Sequence, residues 1–214
     1  MKKGLFITFE GIDGSGKTTQ YNLLGGRLRR CGLDVVCVRE PGSTAVGEEI
    51  RSILLSRDDR PMTLLTEALL YAAARSQLVR EVIAPALESG KVVLCDRFLD
   101  SSLAYQGHAG GLGVDTVMAV NAAAVQGVRP HLTLVFDLSV SEALRRERGR
   151  KADRIESRGV EYLQRVREYY LELAREEPDR VRVIPAARDI AEIAADVYRV
   201  VREGLAALGL DGRG

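Results

Sequence analysis

The chain has 214 residues, 46% of them hydrophobic, and 31 basic against 30 acidic side chains leave a formal net charge of +1. That is enough for one α/β domain over residues 1–214, and the balanced charge argues against a nucleic-acid partner. No membrane-length apolar run or signal-peptide layout occurs, and Cys31, Cys37 and Cys95 read as reduced, packed thiols, so a cytoplasmic protein without a membrane partner is expected.

In chain order, Leu5–Phe9 is a short apolar, β-rich run that fits a buried strand. Gly11-Ile12-Asp13-Gly14-Ser15-Gly16-Lys17-Thr18 follows, matching G-x-x-x-x-G-K-[ST] at every fixed position, with Thr19 beyond it. Glycines let backbone N–H groups approach a polyphosphate, and a following helix N-terminus adds a favourable dipole. Lys17 can then reach the outer phosphates and the Thr18 hydroxyl can ligate Mg²⁺. A glycine-rich turn without a ligand is the alternative, but lysine, hydroxyl, strand and helix together point to a nucleoside triphosphate. The helix runs from about Lys17 to Arg30, with Leu23, Leu24 and Leu28 on its buried side and Gly32 ending it. Gly25-Gly26 inside it costs about 1 kcal/mol per glycine relative to alanine, which close packing would offset.

Asp34–Val38 is a second buried strand that delivers Arg39-Glu40-Pro41-Gly42 to a loop. Loops at the carboxyl ends of parallel strands form the ligand crevice, although a solvated Pro-Gly turn reads equally well here. A short helix, Gly47–Leu55, carries Arg51. Residues 62–89 read as one long helix, apolar on most of its surface, bent or interrupted at Pro85. One face against the sheet and another against a second copy would bury it, so a homodimer is expected. Tyr71 and Arg75, four apart, share a face and either clamp a base or form a cation–π pair.

Lys91–Cys95 is a third strand, ending in Asp96-Arg97. The carboxylate suits an Mg²⁺ ligand or a helix cap, and the guanidinium suits phosphate. The segment from Ser101 to Gly107 supplies hydroxyls and an amide, and His108 falls in a glycine-rich, flexible loop. Asp115–Gln126 is a helix closed by Gly127. Leu132–Phe136 is a fourth strand ending in Asp137, and a helix begins near Ser139 or Ser141. The charged run from Arg145 to Glu156 is either a solvated face or an arginine-rich lid at about 147–158. A helix at Val160–Glu176, a strand at Val181–Ile184 and a helix at Ile190–Leu208 complete the pattern, with Asp211–Gly214 frayed. The alternation predicts a three-layer α/β fold with a five-stranded, mostly parallel sheet between helices. A GTPase would need an Asn-Lys-x-Asp base reader, which the chain lacks. The surplus arginines and the basic flap favour a small-molecule kinase over an ATPase.

The stretches FEGIDGSGKTTQ, REPGST, GEEIRSILL, EALLYAAARSQL, CDRFLDSSLAYQG, RPHLTLVFDL and ADRIE resemble those of the bacterial thymidylate kinases over nearly the whole chain. The resemblance implies a P-loop NTPase fold and transfer of the ATP γ-phosphoryl group to dTMP with Mg²⁺. It implies that Tyr71 stacks on thymine, that Arg75 bonds its exocyclic oxygen, and that Ser102 and Gln106 complete base recognition. Tyr105 would pack against the sugar, Arg39, Arg51 and Arg97 would hold the acceptor phosphate, and Glu40 would edge that pocket. Asp13 would serve the sugar hydroxyl or the metal region, and Thr18 and Asp96 the metal. Some members carry a catalytic arginine inside the phosphate loop; here that place is Gly14, so the flap is the source. Arg148, Arg150 and Arg154 are candidates, with Arg150 and Arg154 preferred beside Lys17, Arg97 and Asp13, and Asp153 and Glu156 ligate Mg²⁺ or brace the flap. A kinase for another pyrimidine monophosphate, and a P-loop ATPase or nucleotide sensor serving a protein partner, are the alternatives.

Overall fold

A computed structural model describes residues 4–56, 61–148, 154, 158–207 and 209–210. Arg150, Asp153, Glu156, Leu208 and the tail from Asp211 lie outside the described residues.

Strand β1 (Leu5–Glu10) is buried along its whole length, and alternation sorts its side chains between two helical layers. Leu5, Ile7 and Phe9 face α1 (Lys17–Arg30) and α9 (Ile190–Ala207); Phe9 meets Tyr21 edge-on at 5.3 Å. Phe6, Thr8 and Glu10 face the opposite layer, where Phe6 packs on Phe98 at 5.0 Å and Glu10 accepts from Tyr170. The other strands are β2 (Val35–Arg39), β3 (Val92–Asp96), β4 (Leu132–Asp137) and β5 (Val181–Pro185). Their order is β2-β3-β1-β4-β5 and every pairing is parallel, so the expected sheet is present without an antiparallel strand. Strand order reverses beside β1, which places its carboxyl end at the ligand crevice of such sheets.

Helices α2 (Ala45–Leu55), α3 (Leu64–Leu78) and α6 (Val114–Val125) pack in sequence, with α3 between the other two. After α3, the expected single helix passes through a π-helical turn, Val79–Ile83, into α4 (Ala84–Glu88). The Ala84 N–H reaches back five residues to the Val79 carbonyl, and this wide turn accommodates Pro85, which has no N–H to give. His108 is not in the expected loop: α5 (Leu99–Ser102) continues as a π-helical turn, Leu103–Ala109, which places His108 beside Tyr169 at 5.3 Å. Ser139 caps α7 (Val140–Arg146) by accepting from the Glu142 N–H, and α8 (Val160–Glu176) lies against β4, β5 and the 103–109 turn.

Burial in α1 and at the cysteines departs from expectation at three points. Leu23 is exposed, while Leu24 and Leu28 are buried as expected. Cys31 caps α1 at the surface and Cys37 sits on edge strand β2, so both are exposed and only Cys95 is packed in the core. Close packing accounts for one helical glycine only: a Cβ on Gly25 would lie 3.3 Å from Cys37 Sγ, whereas Gly26 would meet nothing but the Arg30 side chain.

Candidate active site

The loop after β1 is shaped by backbone demands. Gly11, Gly14 and Gly16 have φ of 134°, 79° and 86°, values that side-chain-bearing residues rarely adopt. A Cβ at Gly11 would come within 2.7 Å of the Phe136 carbonyl oxygen, and one at Gly14 within 2.5 Å of that of Ala143. The N-terminus of α1 has no side-chain cap and no acidic residue in its first turn, so its N–H groups are left for an anion. Asp13, Gly14, Gly16, Lys17, Thr18 and Thr19 line this cradle together with Arg146 and Glu147 from the end of α7. Ile12 anchors it, its side chain in the core and its carbonyl accepting from Lys17 Nζ at 3.0 Å; the Ser15 hydroxyl is buried without a partner. Burial, and then the Arg97 charge, lower the Lys17 ammonium from its ordinary pKa.

Thr18 Oγ1 donates to Asp96 Oδ2 at 3.3 Å across the crevice. No cluster of three or more His, Cys, Asp or Glu suited to a metal occurs among the described residues. Mg²⁺ at phosphate sites takes one or two protein oxygens and completes its shell with phosphate and water, so the Thr18–Asp96 pair fits that ion.

The second cavity adjoins the first. It is lined by Asp13, Glu40, Pro41, Arg51, Leu55, Tyr71, Arg75, Arg97, Phe98, Ser101, Ser102, Tyr105 and Gln106. Arg75 is 1% exposed and nearly every donor it has is engaged. Nε and Nη2 lie 2.8 and 2.7 Å from Glu40 Oε2. Nη2 also donates to the Phe98 carbonyl (3.1 Å) and Ser102 Oγ (3.0 Å), and Nη1 to Asn121 Oδ1. One Nη1 hydrogen remains for a ligand. Glu40 Oε1 is buried with no partner, and burial pushes that carboxyl up against the lowering pull of Arg75. The Glu40–Pro41 peptide bond is cis, and the Pro41 carbonyl accepts from Arg51 Nη1 at 3.0 Å.

Between the two cavities stands Arg97. Its φ of 67° is left-handed, the kind of strain found at functional sites. The turn is held by Arg97 N–H to the Phe9 carbonyl (3.0 Å) and Phe98 N–H to Glu10 Oε1 (2.8 Å). The guanidinium lies 5.1 Å over the Tyr105 ring, donates to Ser101 Oγ at 3.1 Å and pairs with Asp13 Oδ1 at 2.7 Å. Asp13 lines both cavities.

Two expected residues are not brought here. Arg39 is outside the cleft, half-exposed and paired with both Glu48 oxygens at 2.8 Å. Consecutive strand residues point opposite ways, so a chain end that aims Glu40 inward turns Arg39 out. Arg154 does not line the phosphate cradle: its Nε donates to the Leu54 carbonyl (3.0 Å) and its Nη2 to Glu67 Oε2 (2.6 Å), because a fully buried carboxylate needs a cation. Asp137 is bound by Arg167 through both carboxylate oxygens. The sequence reading missed Arg146 at the cradle, and also Glu10, Glu67, Asn121 and Arg158, which hold other side chains in place. A signal existed for Glu67, since positions 67, 71 and 75 share one face of α3.

Comparison with known proteins gives one answer. The family model for thymidylate kinase matches residues 9–197. A thymidylate kinase of Symbiobacterium thermophilum is 52% identical over 201 residues, covering 94% of each chain. One of Pelotomaculum thermopropionicum is 52% identical over 206 residues, covering 95% of each. The crystal structure of thymidylate kinase from Ehrlichia chaffeensis superposes with a TM-score of 0.75 at 32% identity, over 93% of this chain and 99% of that one.

Proposed function

The chain belongs to the thymidylate kinase family, and on that premise we propose how its residues divide the reaction. The enzyme transfers the γ-phosphoryl group of ATP to the 5′-phosphate of dTMP, giving dTDP and ADP. The parallel sheet with its glycine-rich loop is the P-loop NTPase fold, and residues 1–214 act as one kinase domain.

The Gly11–Thr19 loop holds the ATP phosphates through its N–H groups and Lys17, with Arg146 alongside. Thr18 and Asp96 would hold Mg²⁺, which offsets charge on the donor phosphates. In the cleft, Tyr71 stacks on the base, Arg75, Ser102 and Gln106 read its edge, and Tyr105 packs on the sugar. Arg51 and Arg97 bind the acceptor phosphate and Glu40 fixes Arg75; Arg39 is not needed for this set. The acceptor phosphate is already a nucleophile, so no general base is assigned; positioning and charge neutralisation lower the barrier. The observation that carries this reading is the Arg97–Asp13 pair, set where the two cavities meet. From there the guanidinium can neutralise charge on both phosphate groups.

The test is purified protein with Mg-ATP and a panel of nucleoside monophosphates, scored for diphosphate formed. dTDP is the expected product; another diphosphate in preference, or ATP hydrolysis that ignores the acceptor, overturns the assignment.

The α2–α3–α6 face supports a homodimer. Val46, Ile53, Leu65, Leu69 and Met118 are all at least 41% exposed on three helices, α3 packing against α2 on one side and α6 on the other. Leu69→Glu is expected to halve the mass seen by analytical ultracentrifugation; a wild-type monomer would remove the proposal. No helix of the described residues is long and apolar enough to cross a membrane.

A further inference from the structure

Glu67, in the first turn of α3, is 0% exposed and lies behind the base-reading side of the cleft. Three side chains converge on its carboxylate. Gln106 Nε2 donates to Oε1 at 2.8 Å, and Arg154 Nη2 and Arg158 Nη2 donate to Oε2 at 2.6 Å each. The two guanidinium groups supply the charge compensation that a buried carboxylate requires. Arg158 is itself fixed, with Nη1 on the Tyr162 hydroxyl at 2.9 Å, and that hydroxyl donates to the Tyr105 carbonyl at 2.8 Å. The carboxylate is therefore locked in place before any substrate arrives.

A carboxylate only accepts hydrogen bonds, and a primary amide has one donor end and one acceptor end. Glu67 thus decides which way the Gln106 amide is turned. Its NH₂ end is held by Glu67, and the carbonyl end is left for the cleft that Gln106 lines. We propose that Glu67 is a specificity-determining positioning residue: by pinning the Gln106 amide it presents a carbonyl acceptor to the base, beside the donor offered by Arg75. Thymine matches that pattern, with an O4 acceptor for Arg75 and an N3–H donor for Gln106. Cytosine reverses both groups, setting its amino group against Arg75 and its unprotonated N3 against a carbonyl. A site built around buried polar groups rejects the reversed pattern because those groups go unpaired.

The inference rests on the dTMP-phosphorylating reading above, so wild-type turnover of dTMP is the first measurement. Its absence would count against that reading and not against the amide geometry. Glu67→Gln and the swap Glu67→Gln/Gln106→Glu are then compared with wild type on dTMP and dCMP, with thermal melting as the folding control. In the single variant the new amide can donate to the Gln106 carbonyl and release its NH₂ towards the base. The expected result is a fall of about tenfold in kcat/KM for dTMP, chiefly through KM, and a dTMP-over-dCMP preference narrowed by about tenfold. In the swap the pair is reversed but the cleft again meets an acceptor, so the preference is expected to recover. A folded single variant with an unchanged dTMP-to-dCMP ratio would overturn the proposal. So would a folded swap that accepts dCMP as readily as dTMP, a result readable even if the single variant does not fold.

Discussion

The phosphate cradle and the acceptor cleft share Asp13, to which Arg97 of the cleft is paired, but are built on opposite principles. In the cradle the main chain sets the shape: three glycines with positive φ, an uncapped helix N-terminus, and two carbonyls that leave no room for a Cβ at Gly11 or Gly14. In the cleft the lining is of side chains, and three of them depend on a buried partner behind them. Glu40 and Asn121 hold Arg75, Glu67 holds Gln106, and Glu10 holds the turn that carries Arg97. A main-chain site tolerates few substitutions but grips any polyphosphate, whereas a side-chain site can be tuned to one base. The difference suits an enzyme whose donor is common to many kinases and whose acceptor is not.

Substitutions in one region or the other test whether the two are separable. Arg97 lines the cleft and pairs with Asp13, which lines both, so Arg97→Ala is expected to lower turnover by about a thousandfold or more while melting stays close to wild type. Turnover within a few-fold of wild type would show that the regions do not share it. Gly14→Ala strikes the cradle alone: the new Cβ lies 2.5 Å from the Ala143 carbonyl oxygen at a φ of 79°. KM for ATP is expected to rise by about tenfold or more while calorimetric dTMP affinity stays put; a matching loss for dTMP would mean the regions are coupled through the loop.

The cleft side predicts a pH effect. Burial, with Asp100 nearby, pushes the Glu10 carboxyl up from 4.5 to about 7 in the fold. A raised carboxyl pKa means that the folded state holds the proton more tightly than the unfolded chain does. Its contribution is therefore complete below about pH 4.5 and is lost as pH rises through 7, amounting to about 3 kcal/mol. Denaturant melts of Glu10→Gln should lack this decline between pH 5 and 8; a slope equal to that of wild type would contradict it. The smallest effect is structural. Gly26→Ala should stabilise the helix behind the cradle by about 1 kcal/mol, and Gly25→Ala should gain less because its Cβ meets Cys37. Equal gains would remove the packing argument for Gly25.

The same contrast explains what could be read from the chain. The cradle was legible because its geometry demands glycines, a lysine and a hydroxyl at contiguous positions, and the strands around it because they are buried apolar runs. The cleft was legible only through family resemblance, because its supporting partners lie far off in sequence. Asn121 is 46 residues from Arg75, and Gln106 is 39 from Glu67. Spacing placed Tyr71 and Arg75 on one helix face without showing what Arg75 would be bonded to. At the end of β2 the alternation of the strand separated Arg39 from Glu40, although both residues looked equally suited to phosphate chemistry. The resemblance makes the flap an arginine source, whereas Arg154 pairs with the buried Glu67, 87 residues earlier in the chain, a partner that no local pattern signals.

A crystal structure with dTMP and a non-hydrolysable ATP analogue would show whether Arg97 reaches both phosphate groups. The expected complex has the base on Tyr71 with its edge towards Arg75 and Gln106, the analogue's phosphates on the Gly11–Thr19 loop, and the Arg97 guanidinium in contact with phosphate oxygens of both ligands. A complex in which both nucleotides are bound and Arg97 still pairs only with Asp13, remote from both phosphates, would contradict it.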